Sequence, residues 1–328
     1  MTTRWGIAGT GRIADVVAED FAHVSDGELV AIGSRDADRA AEFGARHGGA
    51  RGLTYRQLID DPEVDAIYLG TPHPQHRDLA LAAIAAGKAV LVEKAFTATV
   101  AGAEQVVDAA RQAGVFCMEA MWTRFQPATV KARELIADGA IGEVRQVQAD
   151  LGAYRAYDPS DRLFDPKLGG GAALDLGVYV LSIAQQFLGT PDKVTAHGEL
   201  APNGVDMSFG ALLGHADGRV GVVTAGFDVA SPGRAVVMGS DGSIELMPRF
   251  HHPTRLRVTP RQGDAYELEL PASGRGYAHE FNAVDEYLAQ GLTESPVMPL
   301  DDTLAVQRML GQVTDQLGVQ YEEGTVEV

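Results

Sequence analysis

Hydrophobic and polar positions follow two different patterns along the chain. Up to Met118, short apolar runs typical of buried strands are separated by longer stretches rich in alanine, glutamate and arginine. The predicted strands are Arg4–Ala8, Leu29–Ser34, Ala66–Gly70, Ala89–Val92 and Val115–Met118, and the predicted helices are Asp36–His47, Pro74–Ala86 and Thr99–Ala113. Strands that alternate with helices of this length form βαβ units, so we predict an α/β fold with a doubly wound parallel sheet.

After Phe125 the pattern changes to longer strands of alternating polarity with few helices between them. The predicted strands are Val144–Ala153, Lys193–Ala201, Ser208–His215, Arg219–Asp228, Arg234–Gly239 and Arg255–Thr259. Turn signals such as Ala216-Asp217-Gly218 and Ser240-Asp241-Gly242 join them, which favours an open, predominantly antiparallel sheet in an α+β domain. The predicted helices are Pro127–Asp138, Gly171–Leu188 and Leu300–Leu317. We expect the Gly171–Leu188 helix to cover one sheet face with Leu174, Val178, Leu181 and Ile183.

The length of 328 residues and the change of pattern predict two domains, residues 1–122 and residues 123–328. A net charge of -18 argues against nucleic-acid or anionic-membrane partners, because both surfaces would repel the protein. The single cysteine, Cys117, excludes an intramolecular disulfide and any cysteine-based zinc or iron–sulfur site. We find neither a signal peptide nor a run of 18 apolar residues, and we expect a cytoplasmic protein.

The first predicted strand runs directly into a glycine-rich turn and a helix. The sequence Gly9-Thr10-Gly11-Arg12-Ile13-Ala14 matches the pattern GxGxxA. In such a turn the first glycine allows the tight bend, the second admits a pyrophosphate, and the small third residue lets helix and strand pack closely. The helix N-terminus then supplies amides and partial positive charge to the phosphates. Because the motif follows the first strand of a βαβ array, we interpret this domain as a dinucleotide-binding Rossmann domain.

The end of the second predicted strand distinguishes between the two nicotinamide cofactors. An acidic residue there binds the ribose 2′-hydroxyl of NAD, whereas arginine accommodates the 2′-phosphate of NADP. Ser34 occupies the usual acidic position, and Arg35 and Arg39 are candidate cations for the phosphate. Asp36 precedes a predicted helix and is interpreted as its N-cap. We therefore predict NADP (NADPH) rather than NAD, with solvated helix arginines as the alternative.

Further polar residues follow the later parallel strands, at the sheet edge where open α/β sheets bind ligands. They are Thr71, Pro72, His73 and His76 after one strand and Glu93 and Lys94 after the next. Two histidines without a third ligand are poor evidence for a metal, so we predict no metal site. For His76 a local hydrogen bond at a helix N-terminus is as good an interpretation as a cofactor contact. Lys94 directly follows a buried run, which favours a position facing the crevice.

A glycine-rich segment, Gly169–Tyr179, leads into a predicted helix of the second domain. Asp175 and Tyr179 are four residues apart and would share one face of that helix. Periodicity alone favours a core tyrosine at position 179.

Taken together, these segments resemble the Gfo/Idh/MocA oxidoreductases, and within them the dimeric dihydrodiol dehydrogenases and NADP-dependent D-xylose dehydrogenases. The resemblance covers nearly the whole chain and is carried by Gly9–Ala14, Ser34–Asp36, Thr71–His76, Glu93-Lys94, Met118–Phe125 and Gly169–Tyr179. In the family the Glu-Lys pair is usually followed by proline. Here Ala95 follows, and alanine does not favour the cis or rigid turn that proline holds.

The resemblance implies that Lys94 and Tyr179 flank the carbon that exchanges hydride, with Asp175 beside them. Oxidation of an alcohol requires removal of its hydroxyl proton. Free tyrosine is a weak base, but an adjacent ammonium group stabilises its phenolate. We therefore expect Tyr179 to act as general base in oxidation and general acid in reduction, Lys94 to be its electrostatic partner, and Asp175 to orient the lysine. Which of Lys94 and Tyr179 moves the proton is left open.

The resemblance favours an aldose such as D-xylose or a trans-dihydrodiol as substrate. The alternatives are inositols, 1,5-anhydrofructose or a keto sugar, or a non-catalytic NADP-binding sensor. Trp122, Arg124, Tyr154 and Tyr157 are weak candidates for the substrate side, with core packing or a surface role as alternatives. His251-His252 is expected to be a solvated loop pair. A sheet face that helices leave uncovered predicts an oligomer through the second domain, and the resemblance implies a homodimer or a higher oligomer.

Overall fold

The computed structural model describes residues 2–328, which form two compact units. The first unit contains the chain up to Trp122 together with Ser273–Thr303 and Glu322–Val328. The second unit contains Thr123–Ala272 and Leu304–Tyr321. Two segments from the last quarter of the chain therefore fold with the N-terminal residues.

The first unit is built on a six-stranded sheet in the order β3-β2-β1-β4-β5-β6, and all five strand pairs are parallel. The strands are β1 (Thr3–Ala8), β2 (Gly27–Ser34), β3 (Arg51–Thr54), β4 (Ala66–Leu69), β5 (Ala89–Glu93) and β6 (Cys117–Ala120). The helices are α1 (Arg12–Asp20), α2 (Ala37–Arg46), α3 (Tyr55–Asp60), α4 (His76–Ala85), α5 (Val100–Ala113) and, from the later segment, α8 (Ala278–Ala289). The predicted doubly wound parallel sheet is confirmed. Its strand order reverses between β1 and β4, which places the ligand crevice at their carboxyl ends.

Two neighbouring elements of this sheet, β3 and α3, were not predicted. Thr54 ends β3 and opens α3 with a capping box, in which its hydroxyl accepts from Gln57 N and the Gln57 side chain accepts from Thr54 N. The last strand, β6, begins two residues later than predicted. Gly114 ends α5 in the left-handed conformation, and Val115 and Phe116 connect it to β6.

The second unit is built on an eight-stranded sheet in the order β14-β13-β12-β11-β7-β10-β9-β8. Its strands are β7 (Val144–Gly152), β8 (Lys193–Leu200), β9 (Asp206–Gly214), β10 (Val220–Gly226), β11 (Ala235–Gly239), β12 (Gly242–Leu246), β13 (Arg255–Pro260) and β14 (Tyr266–Glu269). Only β7 and β10 pair in parallel, so the predicted predominantly antiparallel sheet is confirmed. The helices are α6 (Pro127–Ala137), α7 (Val178–Leu188) and α9 (Leu300–Leu317), of which residues from Leu304 on belong to this unit.

The helix predicted over Gly171–Leu188 has two parts. Ala173–Gly177 form a π-helical turn, and the α-helix α7 begins only at Val178. Leu174, Val178, Leu181 and Ile183 are all buried, as predicted. By length and composition the helical stretch Pro166–Leu188 could cross a membrane, but 83% of its apolar window is buried inside the protein, as in the core helix of a globular fold.

Candidate active site

The glycine-rich turn between β1 and α1 has the geometry that the motif predicts. Gly9 has a φ of 122°, and a Cβ atom there would lie 2.8 Å from the carbonyl oxygen of Gly70. Gly11 caps α1, and a Cβ atom built on it would meet no atom within 4 Å. Ala14 is fully buried, whereas Arg12 is exposed and Ile13 is half-buried. Backbone atoms of Gly70 therefore fill the space beside Gly9, whereas the space beside Gly11 is open.

Thr71 adds a hydrogen-bonding group beside this turn. It follows β4, and its backbone nitrogen lies 3.5 Å from the Cβ position of Gly9. Its Oγ1 is buried and has no hydrogen-bond partner among residues 2–328. A buried hydroxyl without a partner is costly unless a ligand completes it. The open space at Gly11, the amides of the α1 N-terminus and the Thr71 hydroxyl together fit the pyrophosphate of a dinucleotide.

β2 ends at Ser34 rather than at an acidic residue, and the arginines Arg35 and Arg39 follow it. Ser34 is buried, and its Oγ accepts from Asp36 N at 3.3 Å. Asp36 accepts from Asp38 N and Arg39 N, which confirms it as the N-cap of α2. Arg35 and Arg39 are exposed and flank Tyr55: burial raises the pKa of Tyr55, and the two guanidinium groups oppose that rise.

A cavity of about 330 Å³ lies at this end of β2. Its lining residues come from the first unit and are Ser34, Arg35, Thr54, Tyr55, Arg56, Gln75, Thr325, Val326 and Glu327. The last three belong to residues 322–328, which we call the closing segment. Sequence reasoning missed it, because no motif or periodicity links those residues to β2.

The histidines after β4 tie two loops together. His76 is fully buried, and its ring nitrogens contact three carbonyl oxygens, those of Thr71 (2.8 Å), Ala95 (3.1 Å) and Phe96 (3.2 Å). Burial lowers the pKa of His76, which favours the neutral ring. His73 is also buried, and its Nε2 lies 3.2 Å from the carbonyl oxygen of Lys94. His76 therefore bonds to the loop after β5 as well as to Thr71, which is more than a local hydrogen bond at a helix N-terminus.

Lys94 and its neighbours follow β5 on the same edge of the sheet. The Lys94 side chain is half-buried, and Ala95 is fully buried. The peptide bond between them is cis, although the sequence has alanine where the family usually has proline.

A buried acidic cluster lies behind this loop. Tyr68 donates a hydrogen bond to Glu93 Oε2 at 2.9 Å. Glu280, on α8, is fully buried, and within the described chain neither of its carboxyl oxygens has a hydrogen-bond partner. Burial and the nearby Glu93 carboxylate raise the pKa of Glu280 well above its ordinary value. Tyr68 and Glu280 were not predicted from the sequence, since each is spaced as an ordinary core position.

In the second unit, the predicted pair of Asp175 and Tyr179 is split between two helical forms. Asp175 lies in the π-helical turn and forms an ion pair with Arg162 at 3.4 Å, so α-helical spacing does not describe its relation to Tyr179. Tyr179 is buried in the first turn of α7, and its ring centroid lies 5.1 Å from that of His251. His252 is exposed, but half-buried His251 is not the solvated residue we expected.

The four weak substrate candidates lie in different surroundings. Trp122 is buried and stacks on Tyr277, with ring centroids 4.1 Å apart. Arg124 is buried against α7, where it donates to Gln185 Oε1 at 2.6 Å and to Ser182. Tyr157 packs edge-on against Phe164, and Tyr154 is 61% exposed. Within residues 2–328, no group of three or more histidine, cysteine or acidic side chains is placed to hold a metal ion.

Two family models match most of the chain. One, described as an oxidoreductase family with an NAD-binding Rossmann fold, matches residues 3–121, and the other, the GFO/IDH/MocA C-terminal domain, matches residues 129–245. Among curated proteins, the trans-1,2-dihydrobenzene-1,2-diol dehydrogenase of Xenopus tropicalis is 34% identical over 334 residues, which is 98% of this chain and 100% of that protein. The human protein of the same name is 33% identical over 340 residues, 98% of this chain and 99% of its own length.

Solved structures give the same relationship. The aldose-aldose oxidoreductase from Caulobacter crescentus, complexed with glycerol, is 26% identical with a TM-score of 0.88, covering 97% of this chain and 98% of that one. KijD10, a 3-ketoreductase from Actinomadura kijaniata in complex with NADP and TDP-benzene, is 27% identical with a TM-score of 0.83, covering 98% and 99%. The chain belongs to the GFO/IDH/MocA family: it has an NAD(P)-binding Rossmann domain and is an oxidoreductase that acts on CH–OH groups.

Proposed function

We propose that this protein is an NADP-dependent dehydrogenase of a trans-dihydrodiol or of an aldose resembling D-xylose. The observation that carries the proposal is the cavity at the end of β2, where buried Ser34 replaces an acid and Arg35 and Arg56 line the wall. A 2′-phosphate carries nearly two negative charges and is well matched by guanidinium groups. KijD10, with the same fold, was crystallised with NADP. Membership in an oxidoreductase family counts against the alternative of a non-catalytic sensor.

The residues proposed to contact the cofactor all lie in the first unit and fall into a pyrophosphate-binding group and a flanking group. Gly9, Gly11 and Thr71 would hold the pyrophosphate, and fully buried Ala14 would let α1 pack closely against the sheet. The flanking residues Arg12, Ile13, Arg39, Pro72 and His73 remain in the proposed cofactor site, together with His76, Glu93 and Lys94 on the loops after β4 and β5. His76 would act as a positioning residue, since its three carbonyl contacts join those two loops.

The proposed chemistry needs a hydride carrier and a proton acceptor. When bound, NADP would supply the hydride acceptor, and NADPH the hydride donor, at the nicotinamide C4. Tyr179 Oη takes the proton from the substrate hydroxyl in oxidation and gives it back in reduction. The Lys94 ammonium donates a hydrogen bond to the same substrate oxygen and stabilises the phenolate. Asp175 would orient Lys94, but its carboxylate also forms an ion pair with Arg162. The two interactions would compete for the same carboxylate.

The substrate class follows the relatives. The curated proteins that match the whole chain are named diol dehydrogenases, and the Caulobacter neighbour is named an aldose oxidoreductase. Trp122 remains our candidate for the substrate side, whereas the buried bonds of Arg124 to α7 lead us to leave it out. Reduction of a keto sugar is the second candidate, favoured by the match to the 3-ketoreductase KijD10.

We further propose a homodimer formed by the outer sheet face of the second unit. Leu212 on β9 and Val222 on β10 are directly paired in register and are 50% and 37% exposed. Adjacent exposed aliphatic side chains on a broad sheet are typical of an interface. Light scattering should give a dimer mass that Leu212→Asp converts to a monomer mass; a wild-type monomer at micromolar concentration would contradict the proposal. A cytoplasmic location remains our proposal.

The function is tested by following nicotinamide absorbance over a panel of trans-dihydrodiols, aldoses, inositols and keto sugars with NADP and with NAD. Lys94→Met and Tyr179→Phe should each lower kcat at least about 100-fold while NADPH still binds. Lys193→Met and Tyr266→Phe, at exposed positions on β8 and β14, are matched controls and should keep wild-type kcat. Near-wild-type kcat in both Lys94→Met and Tyr179→Phe would contradict the mechanism, and equal or reversed affinities for NADPH and NADH would contradict the cofactor.

A further inference from the structure

The closing segment is bound along its length to the first unit. Gly324 N donates to the carbonyl oxygen of Pro74 at 2.8 Å, and Val326 N donates to Asp78 Oδ2 at 3.1 Å. Both acceptors belong to the loop and the first turn that follow β4, which also carry Thr71 and His76. The segment therefore lies against the elements that form the cofactor site.

Two further contacts hold the ends of the closing segment. Near its start, Glu323 Oε1 accepts from Thr99 N at 2.8 Å and from Thr99 Oγ1 at 2.7 Å, at the N-terminus of α5. At its end, Arg56 Nη2 donates to the backbone oxygen of Val328 at 2.7 Å. A stretch of seven residues with anchors at both ends and in its middle is ordered by side chains and backbone together.

Between these anchors the segment faces the cavity at the end of β2. Thr325, Val326 and Glu327 line it, together with Ser34 and Arg35 from β2 and its following turn. The charged residues of the lining are Arg35, Arg56 and Glu327, two cations and one anion. Arg56 both lines the cavity and holds Val328, so it couples the position of the segment to the charge of the pocket.

We propose that the closing segment is the outer wall of the pocket for the adenosine 2′ substituent, and that Glu327 is a residue that sets the preference for the 2′-phosphate or the 2′-hydroxyl. The inference rests on the proposed dinucleotide function. The carboxylate of Glu327 repels a 2′-phosphate, whereas it can accept a hydrogen bond from a 2′-hydroxyl. The two arginines attract the phosphate, so the preference of the pocket is a balance between these opposed charges.

The charge balance is tested by Glu327→Gln, with Glu322→Gln as matched control, since Glu322 is exposed in the same segment and does not line the cavity. The Kd values for NADPH and NADH are measured by titration. Glu327→Gln should lower the Kd for NADPH about two- to fivefold and leave the Kd for NADH unchanged or raised. High salt should reduce this shift, and Glu322→Gln should behave as wild type. An unchanged NADPH-to-NADH ratio in Glu327→Gln, or the same shift in Glu322→Gln, overturns the role of Glu327.

The position of the wall is tested by amide hydrogen exchange on the full chain. NADPH should slow exchange at Gly324 and Val326, whose amides hold the segment in place. Reduced nicotinamide mononucleotide, which lacks the adenosine half, should not. If both ligands slow exchange at these two amides equally, or if bound NADPH does not slow it, the segment is not the wall of the adenosine pocket.

These outcomes separate the inference from the proposed function. If the wild-type chain prefers NADH but Glu327→Gln shifts the ratio toward NADPH, the assignment of NADP fails and the inference stands. If the wild type binds NADPH tightly and neither the ratio nor the exchange responds, the inference fails alone. If the wild type binds no dinucleotide, both fail.

Discussion

The Tyr179 ring lies 5.1 Å from the His251 ring, at an interplanar angle of 43°, in the second unit. The His251 backbone is held in turn, because Thr123 Oγ1 donates to its carbonyl oxygen at 2.7 Å. Because this imidazole lies against the ring of the proposed general base, we expect His251 to position Tyr179.

Replacing His251 by phenylalanine keeps a ring of similar size but removes the titratable nitrogens. We expect His251→Phe to lower kcat about tenfold or more, because small displacements of a proton-transfer group are costly. The pH profile of kcat should also change, which simple packing would not produce. His252→Phe, at the exposed neighbouring position, should leave both unaltered. A wild-type pH profile in His251→Phe would show that this histidine only fills space.

Arg35→Ala tests the charge that favours the 2′-phosphate. Loss of one charge-assisted hydrogen bond should raise the Kd for NADPH about tenfold, and the Kd for NADH should change little. Fluorescence titration with both cofactors measures this difference. Arg257→Ala removes the same charge from an exposed position on β13 and serves as control. Equal weakening of both cofactors by Arg35→Ala would place Arg35 against the adenine rather than the phosphate.

Glu280 should make the protein less stable as the pH rises. Its pKa in the folded chain is raised well above the ordinary value of 4.5, so between these two values the folded chain binds a proton that the unfolded chain has lost. The free energy of unfolding therefore falls as the pH increases above about 4.5.

Glu280→Gln removes this dependence while keeping the shape of the side chain. Urea denaturation should show a gain of at least about 1 kcal/mol at pH ~8 relative to the gain at pH ~5. Glu286→Gln, at an exposed position of the same helix, should show no such difference. If Glu280→Gln costs stability equally at both pH values, the carboxyl group is ionised in the folded protein.

Tyr321 takes part in a buried hydrogen-bond network at the start of the glycine-rich segment Gly169–Tyr179. Its hydroxyl lies 2.6 Å from Asp206 Oδ1, and Asp206 also accepts from Ala173 N. Tyr321→Phe leaves the buried carboxyl without that donor and should lower the free energy of unfolding by about 1–3 kcal/mol. Chemical denaturation measures the loss, with Tyr266→Phe as an exposed control. A loss of kcat without any loss of stability would instead make Tyr321 part of the reaction.

The sequence predicted the architecture where burial gives a strong pattern. β4 and β5 are buried at every position, and α9 has the bounds that its apolar repeat predicts. The strands that were missed are short or polar. β14 is largely exposed at the sheet edge, and β12 begins inside the Ser240-Asp241-Gly242 turn signal, where local chemistry favours a turn. Hydrophobic periodicity alone does not separate such strands from loops.

Prediction of the site was best where local backbone chemistry specifies a structure. The positive φ of Gly9 and the N-cap at Asp36 both follow from residue type and position. Glu327 and Glu280 come to the cofactor-binding unit from far along the chain, so only the path of the folded chain brings them there. His251 was misjudged because a loop pair of histidines has no periodicity from which burial can be inferred.

The π-helical turn at Ala173–Gly177 fixes the azimuth of Asp175 about the helix axis. Such a turn holds one residue more than the α-helical turn that it replaces. Deleting one residue would make the helix regular and rotate everything before the deletion by about 100° relative to α7. Tyr179 would keep its place while Asp175 changed its direction. The length of this five-residue stretch therefore determines the direction of the Asp175 side chain relative to α7.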